Sequence, residues 1–375
     1  MAEISKVIGL MSGTSLDGVD AALLDTDGED VVRPGPSLTV PYDAAIRAQL
    51  RDALETALGM AQGAPVPQSI WDAERVLTEA HAQAVKALLE KSGLAAGDID
   101  LIGFHGQTIL HRPEQGWTWQ IGDGALLAKL TGIDVVNDFR SADVAAGGQG
   151  APLMPLYHAV MSRAAGLAEP VVVVNIGGVA QVTYIKDDYV SAFDTGPGNA
   201  LIDDWVFDHT GLPIDVNGAL ARSGKIDLGL LSRLAEDDFF DRVPPKSLDR
   251  MEFDFIPKMM RSERLSFFDG AATLTDFTAL AIAKAQNHFP SKAETWVISG
   301  GGRHNGFLME RLKERTKAYM LDAEDVAWDG DGFEAHGFAY LAVRSRKGLP
   351  LSLPTTTGVK APMTGGRIWK ASCPG

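Results

Sequence analysis

The sequence predicts an α/β protein made of two related halves. Three observations carry that expectation. An apolar strand that runs into a glycine-rich turn and then a second strand occurs near the start of the chain, at residues 6–24, and again near the middle, at residues 170–185. Helical stretches with apolar positions three and four apart are interleaved with the strands. The chain has 375 residues, 45% of them hydrophobic, enough for two domain cores or one large core with insertions.

In the first half, residues 6–11 (KVIGLM) and 19–24 (VDAALL) read as buried strands. Between them lies SGTSLDG. A hairpin turn needs one glycine at positive φ. This turn has Gly13 and Gly18 together with the hydroxyls of Ser12, Thr14 and Ser15, donors that suit phosphate oxygens. An ordinary polar hairpin loop would use the same residues. Residues 43–58 and 70–89 read as amphipathic packing helices, the second closed by the glycines at 93 and 97. Residues 99–104 form a strand that ends in His105-Gly106-Gln107-Thr108, at the edge where α/β sheets bind ligands. A histidine satisfied inside the core is the other reading of His105. His105 and His111 lack a third ligand at a zinc-specifying spacing. After residues 117–121, a short helix at 124–130 and a strand at 133–136 lead to Arg140, which suits either a fork onto a ligand carboxylate or a structural ion pair. Residues 147–152 (GGQGAP) are too rich in glycine for regular structure, so 140–152 is the candidate hinge or domain boundary.

In the second half, residues 170–176 (PVVVVNI) form a central buried strand, followed by a turn at 175–178, a strand at 179–185 and a third strand in VSAFDTGPGN. That last stretch delivers one acid, Asp194, into a glycine turn ahead of a helix at 200–210, a place where a carboxylate meets a bound anion. An Asx-type turn capping the helix would also explain Asp194. Residues 211–270 are charged and Phe-rich and read as an insertion. Within them, Gly218 to Lys225 has the outline of a Walker motif but is one residue too long and is followed by Ile226 where Ser or Thr is needed. A helix at 273–288 precedes a strand at 296–298 that opens onto SGGGRHN, whose three glycines permit close approach of a flat or anionic ligand, and a helix runs on to 317. With no GxGxxG, a Rossmann site is not supported. Residues 332–346 form a helix with Glu334 in its first turn, where a carboxylate also offsets the helix dipole. The Pro/Gly/Thr-rich tail, 348–375, reads as a loop or loosely ordered end.

A net charge of −15 argues against the broad phosphate-backbone contacts of nucleic-acid binding. The lone Cys373 permits neither an internal disulfide nor a cysteine metal site. No signal peptide or membrane-length apolar run is present, so a cytoplasmic location is expected.

Three glycine turns therefore stand in order: SGTSLDG, DTGPGN and SGGGRHN. That order resembles the phosphate-1, phosphate-2 and adenosine elements of the sugar kinase/Hsp70/actin superfamily. The resemblance implies two ribonuclease-H-like α/β domains with a cleft between them, the first lobe 1–140 plus about 336–375 and the second 141–335. The motifs GLMSGTSLDGVDAAL, FHGQT, GGQGAPL, NIGGVAQ, FDTGPGN, GGGRHN and EAHGFAYLAVR resemble the anhydro-N-acetylmuramic acid kinase family over essentially the whole chain. One departure is Ala335-His336-Gly337, where the family more often shows Ala-x-Ala-Phe-Ala; a glycine inside a helix is expected to cost about 1 kcal/mol relative to Ala.

The resemblance implies an enzyme of cell-wall recycling that uses ATP and Mg²⁺ to open the 1,6-anhydro ring of 1,6-anhydro-N-acetylmuramic acid and phosphorylate O6, giving N-acetylmuramate 6-phosphate. It implies Asp194 as the base that activates water. It implies Gly13, Thr14, Ser15, Leu16, Asp17, Gly18, Val19 and Asp20 as the phosphate turn, with Asp17 touching Mg²⁺ through water. Gly300, Gly301, Gly302 and Asn305 would border the adenosine, and Glu334 the sugar. His105, Gln107 and Arg140 are further candidates for the sugar side, Arg140 for the lactyl carboxylate. Two lobes should close over the ligands. Nucleic acid and membrane are not expected partners, and a homodimer stays open. The rival readings are a kinase for another anhydro sugar such as levoglucosan, or a non-catalytic nucleotide-binding chaperone or scaffold.

Overall fold

The computed structural model describes residues 3–13, 15–248 and 252–371; Thr14 and Cys373 lie outside the described residues. The chain forms two compact units. One runs as far as Ala164 and resumes at Asp331, and the other spans Ala165–Gly330.

The first unit is built on strands β1 (Ser5–Met11), β2 (Gly18–Thr26), β3 (Val32–Pro41), β4 (Leu101–Phe104) and β7 (Val135–Asn137), with β5 (Gln107–Arg112) and β6 (Trp117–Ile121) as a separate hairpin. β2 lies antiparallel between β1 and β3, whereas β4 runs parallel to both β1 and β7. Successive side chains of a strand point to opposite faces. On one face, Ile8, Leu10, Ile102 and Phe104 join the buried residues of the helices Ala44–Leu58 and Gln68–Ser92 in one core. The first of these helices starts where Asp43 accepts the Ile46 N–H, 2.8 Å away, and the second stops at Gly93, whose φ is 66°. On the other face, Gly9 and Gly103 let the helix Phe333–Lys347 approach backbone to backbone. A Cβ on Gly9 would sit 1.7 Å from the Ala335 carbonyl oxygen, and one on Gly103 2.2 Å from that of Phe338.

The second unit repeats the plan with β8 (Val171–Ile176), β9 (Val179–Lys186), β10 (Tyr189–Pro197), β11 (Thr295–Ser299) and β12 (Tyr319–Asp322). β9 lies antiparallel between β8 and β10, and β11 runs parallel to both β8 and β12. The order and directions match those of β3-β2-β1-β4-β7, so the weak internal repeat in the sequence is a repeated topology. Residues 211–248 and 252–270 form short helices around an aromatic cluster in which Phe240 and Phe253 stack and both meet Phe277 at steep angles. No helix among the described residues is long and apolar enough to cross a membrane.

Two expectations need correction. The tail is ordered through residue 371: β13 (Arg367–Trp369) pairs antiparallel with β7, and the Trp369 indole N–H donates to Asn137 Oδ1 over 2.9 Å. Proline- and threonine-rich composition conceals so short a strand, because its stability comes from the edge it covers. Gly337 also has a packing reason. A Cβ there would lie 2.2 Å from Met154 Sδ, so the absent methyl makes room for a buried methionine that Ala would displace.

Candidate functional site

The turn after β1 is more occupied than its composition suggests. Ser12 is buried, accepts the Tyr42 hydroxyl proton at 2.8 Å and donates to Gln107 Oε1 at 2.7 Å, so its hydroxyl is committed inside the protein. Burial and the neighbouring acidic side chains push the Tyr42 phenol well above its usual pKa, which keeps it a donor. Gln107 is fully buried. Leu16 adopts φ 55° and its N–H closes the turn onto the Gly13 carbonyl at 3.2 Å. Ser15 Oγ donates to Asp17 Oδ1 over 2.8 Å at the exposed rim. Gly18 passes so close to β3 that a Cβ would meet the Val40 carbonyl oxygen at 2.5 Å. Val19 is a core residue, and Asp20 accepts from Thr39 Oγ1 at 2.6 Å. Among the described residues of the turn the Ser12 and Ser15 hydroxyls are engaged, which leaves main-chain N–H groups for a phosphate, with Asp17 beside them. A lone exposed carboxylate in such a turn fits a Mg²⁺ that keeps most of its water and phosphate ligands.

At the end of β4 the structure brings together three of the candidate sugar-side residues. His105 donates from Nδ1 to the Gly106 carbonyl at 2.8 Å, which assigns Nε2 as a bare acceptor. Arg140 fills that acceptor from Nε at 3.2 Å and Nη2 at 3.0 Å, and gives Nη1 to the Gly150 carbonyl at 2.7 Å. Burial and the adjacent guanidinium both hold the imidazole well below its ordinary pKa, so it stays neutral. Arginine carries five N–H donors. The bonds above use three of the five and leave one N–H donor on Nη1 and one on Nη2, a donor type that carboxylates accept. Burial lowers the Arg140 pKa to about 10, and the charge of Glu334 opposes that shift. Glu334 and Phe338 stand one turn apart on the same helix, and the Phe338 ring centroid lies 4.5 Å from that of His105. Histidine, arginine, glutamate and an aromatic face thus share one locality, while Gln107 reaches it only through the adjacent chain. His111 bonds Thr118 Oγ1 at 2.9 Å, and burial lowers its pKa to about 4.

In the second unit, Asp194 sits on β10 where the register with β9 slips. Its Oδ2 accepts the Leu248 N–H at 2.8 Å, its own N–H is tied to the Lys246 carbonyl at 3.0 Å, and Gln181, opposite it on β9, hydrogen-bonds the carboxylate. Only 7% of the residue is exposed, and burial lifts its pKa to about 6 despite those donors and the nearby Lys246. Lys246 donates to the carbonyls of Phe239 and Phe240 at 2.8 and 3.2 Å, and burial brings its own pKa down to about 8. A buried carboxylate with a pKa near 6 has the proton affinity that general-base chemistry uses at neutral pH.

The glycines behind Asp194 interlock with the other turns of this unit. Gly198, Asn199 and Ala200 donate their N–H groups to the carbonyls of Gly177 and Gly178. Gly300 has φ 78° and would meet Asn175 Oδ1 at 2.3 Å if it carried a Cβ; Gly302 is packed against Ile176, whereas Gly301 faces open space. Asn305 caps the helix Gly306–Thr316 by accepting the Leu308 N–H at 3.0 Å. Arg303, buried, holds the Glu324 carboxylate at 2.8 Å and the Gly300 carbonyl at 3.0 Å, fixing the turn from behind.

Sequence reasoning missed Gln181, Lys246 and the Leu248 N–H around Asp194, and Ser12 and Tyr42 as supports of Gln107. The cross-strand position of Gln181 was readable only with the register, and Lys246 lies in a stretch with no periodicity.

The family model described as anhydro-N-acetylmuramic acid kinase matches residues 5–371. The chain is 52% identical to the anhydro-N-acetylmuramic acid kinase of Rhizorhabdus wittichii over 96% of its own length and 97% of that protein. It is 51% identical to that of Rhodospirillum rubrum over 97% and 94%, and 48% identical to that of Agrobacterium fabrum over 99% and 100%.

Proposed function

The chain belongs to the anhydro-N-acetylmuramic acid kinase family, and on that premise we propose that it opens the 1,6-anhydro ring of 1,6-anhydro-N-acetylmuramic acid with water and transfers the γ-phosphoryl group of ATP to O6. The product is N-acetylmuramate 6-phosphate, and the reaction belongs to peptidoglycan recycling in the cytoplasm. The observation that carries this reading is the match to that family from residue 5 to residue 371.

The chemistry asks little of the protein beyond one base. O6 of the substrate is an ether oxygen with no proton to remove. The base must therefore act on water, which attacks C1 on the face opposite the C1–O6 bond as in an inverting glycosidase. Asp194 accepts the water proton as the C1–oxygen bond forms and the C1–O6 bond breaks. The departing O6 takes the γ-phosphoryl group, whose bond to ADP breaks, so no general acid is required. Leu248 N–H and Gln181 support this by holding the carboxylate in one orientation, and burial supports it by setting the pKa close to 6. The main chain from Gly13 to Gly18 would hold the phosphates, and Gly300 to Gly302 would border the adenosine. Asp17 would hold Mg²⁺ through water, and the ion would neutralise charge on the phosphoryl group. Glu334 would meet the sugar and the N–H donors left on Arg140 its lactyl carboxylate, while His105, both of whose ring nitrogens are engaged, would hold Arg140 in place.

Turnover with ATP in water enriched in heavy oxygen tests the reading. The label should appear at C1 of the sugar phosphate and be absent from its phosphate. Label in the phosphate, or ADP release without sugar phosphate, would overturn it.

A further inference from the structure

Arg140 is held in place by a carbonyl, and that carbonyl is itself held by an acid the proposed chemistry does not use. Asp143 follows Arg140 by one helical turn and is 2% exposed. Its Oδ1 accepts the Gly150 N–H at 2.6 Å. Its Oδ2 accepts the hydroxyls of Thr357, at 2.6 Å, and of Ser352. The Gly148 N–H is bonded to the Asp143 carbonyl at 2.9 Å, and the Gln149 N–H to the Thr357 carbonyl at 2.7 Å. One carboxylate therefore clamps the glycine turn 148–150 between the helix Ser141–Ala145 and the C-terminal segment. The clamp is tight: a Cβ on Gly148 would lie 2.2 Å from Asp143 Oδ1. The Gly150 N–H is what Asp143 holds, and the Gly150 carbonyl is what accepts from Arg140 Nη1. The negative charge of Asp143 also helps keep the guanidinium protonated against its burial.

We infer that Asp143 is a positioning residue that, through Gly150 and with Ser352 and Thr357 of the C-terminal segment, sets the Arg140 fork for a carboxylate on the sugar. The inference rests on the reading of Arg140 as the partner of the lactyl acid. Without the Asp143 carboxylate the glycine turn keeps the main-chain bonds of Gly148 and Gln149, but Gly150, whose carbonyl accepts from Arg140 Nη1, is no longer held through its own N–H. A guanidinium held at His105 by Nε and Nη2 still carries its charge, but its Nη1 is less firmly fixed for a carboxylate.

The test is steady-state kinetics of the full chain with ATP and two sugars: 1,6-anhydro-N-acetylmuramic acid and 1,6-anhydro-N-acetylglucosamine, which lacks the lactyl acid. Asp143→Ala should raise KM for the muramate by about tenfold or more, with KM for ATP and kcat within about twofold of the native values. The same variant should leave the ratio of variant to native kcat/KM near unity for the glucosamine sugar. Asp143→Asn should recover most of the loss, because Oδ1 still accepts from Gly150 while the two hydroxyls turn to accept from Nδ2. If Asp143→Ala does not fold, the Ser352→Ala/Thr357→Ala double variant, which keeps the Oδ1 bond to Gly150 but frees Oδ2, should show a smaller rise in KM that is still confined to the muramate. An equal loss with both sugars, or a fall in kcat with KM unchanged, would make Asp143 a brace of the fold alone and overturn the inference. Absence of muramate turnover by the native chain would instead overturn the proposed function, and this inference with it.

Discussion

Asp194 is held in the form that costs the fold stability. Its folded pKa, about 6, lies above the ordinary 3.8 because burial disfavours the charge. The neutral acid is therefore the form the fold prefers: its contribution is fully present below 3.8 and is lost as the pH rises through about 6. Asp194→Asn, neutral at every pH and still able to accept from Leu248, is expected to be more stable than the native chain at pH ~7.5 by roughly 3 kcal/mol, with most of the gain lost near pH ~4. Thermal melts at the two pH values check this, and a variant that melts lower at the higher pH would contradict the burial argument. The same substitution should slow sugar phosphate formation by at least about a thousandfold. In the native enzyme kcat/KM should rise with pH through about 6, as the base ionises. The charge of Lys246 pulls that pKa down, so Lys246→Met should move the rise to higher pH, read from a pH–rate profile of both proteins.

The helix Phe333–Lys347 shows how an element places chemistry. It carries Glu334 and Phe338 in its first turns, and it reaches the sheet only because Gly9 and Gly103 present no side chain to it. Gly103→Ala would drive a methyl group into the Phe338 carbonyl and push the helix outward. We expect a stability loss of about 1–3 kcal/mol and a larger rise in KM for the sugar than for ATP, measured by denaturant unfolding and by kinetics. The turn after β1 depends likewise on a side-chain chain, Tyr42 to Ser12 to Gln107. Ser12→Ala would leave Gln107 Oε1 and the Tyr42 hydroxyl buried without that partner, a loss of about 1–3 kcal/mol in the same unfolding measurement.

Across the molecule, what the sequence made legible follows from the range of the interaction responsible. Runs such as PVVVVNI declare buried strands because both faces of a central strand are apolar, and the helix Ala200–Thr210 falls where it was expected, between a glycine turn and Gly211. The repeat of strand, glycine turn and strand was enough to anticipate two similar sheets. β3 went unread, since its exposed, proline-interrupted sequence owes its place to pairing with β2. The clamp on Arg140 was also hidden, because Asp143 and Thr357 are brought together only by the fold. The stretch Ala165–Gly330, continuous in sequence with its own sheet and cores, should fold when expressed alone, giving a cooperative melt by circular dichroism. The first unit is assembled from two separated pieces, and this orders events during synthesis. Ser352, Thr357 and β13 are translated after everything they brace. While the ribosome is still making them, Asp143 has no hydroxyls to grip and β7 has a bare edge, so a nascent chain completes the brace behind Gly150 among its last acts of folding.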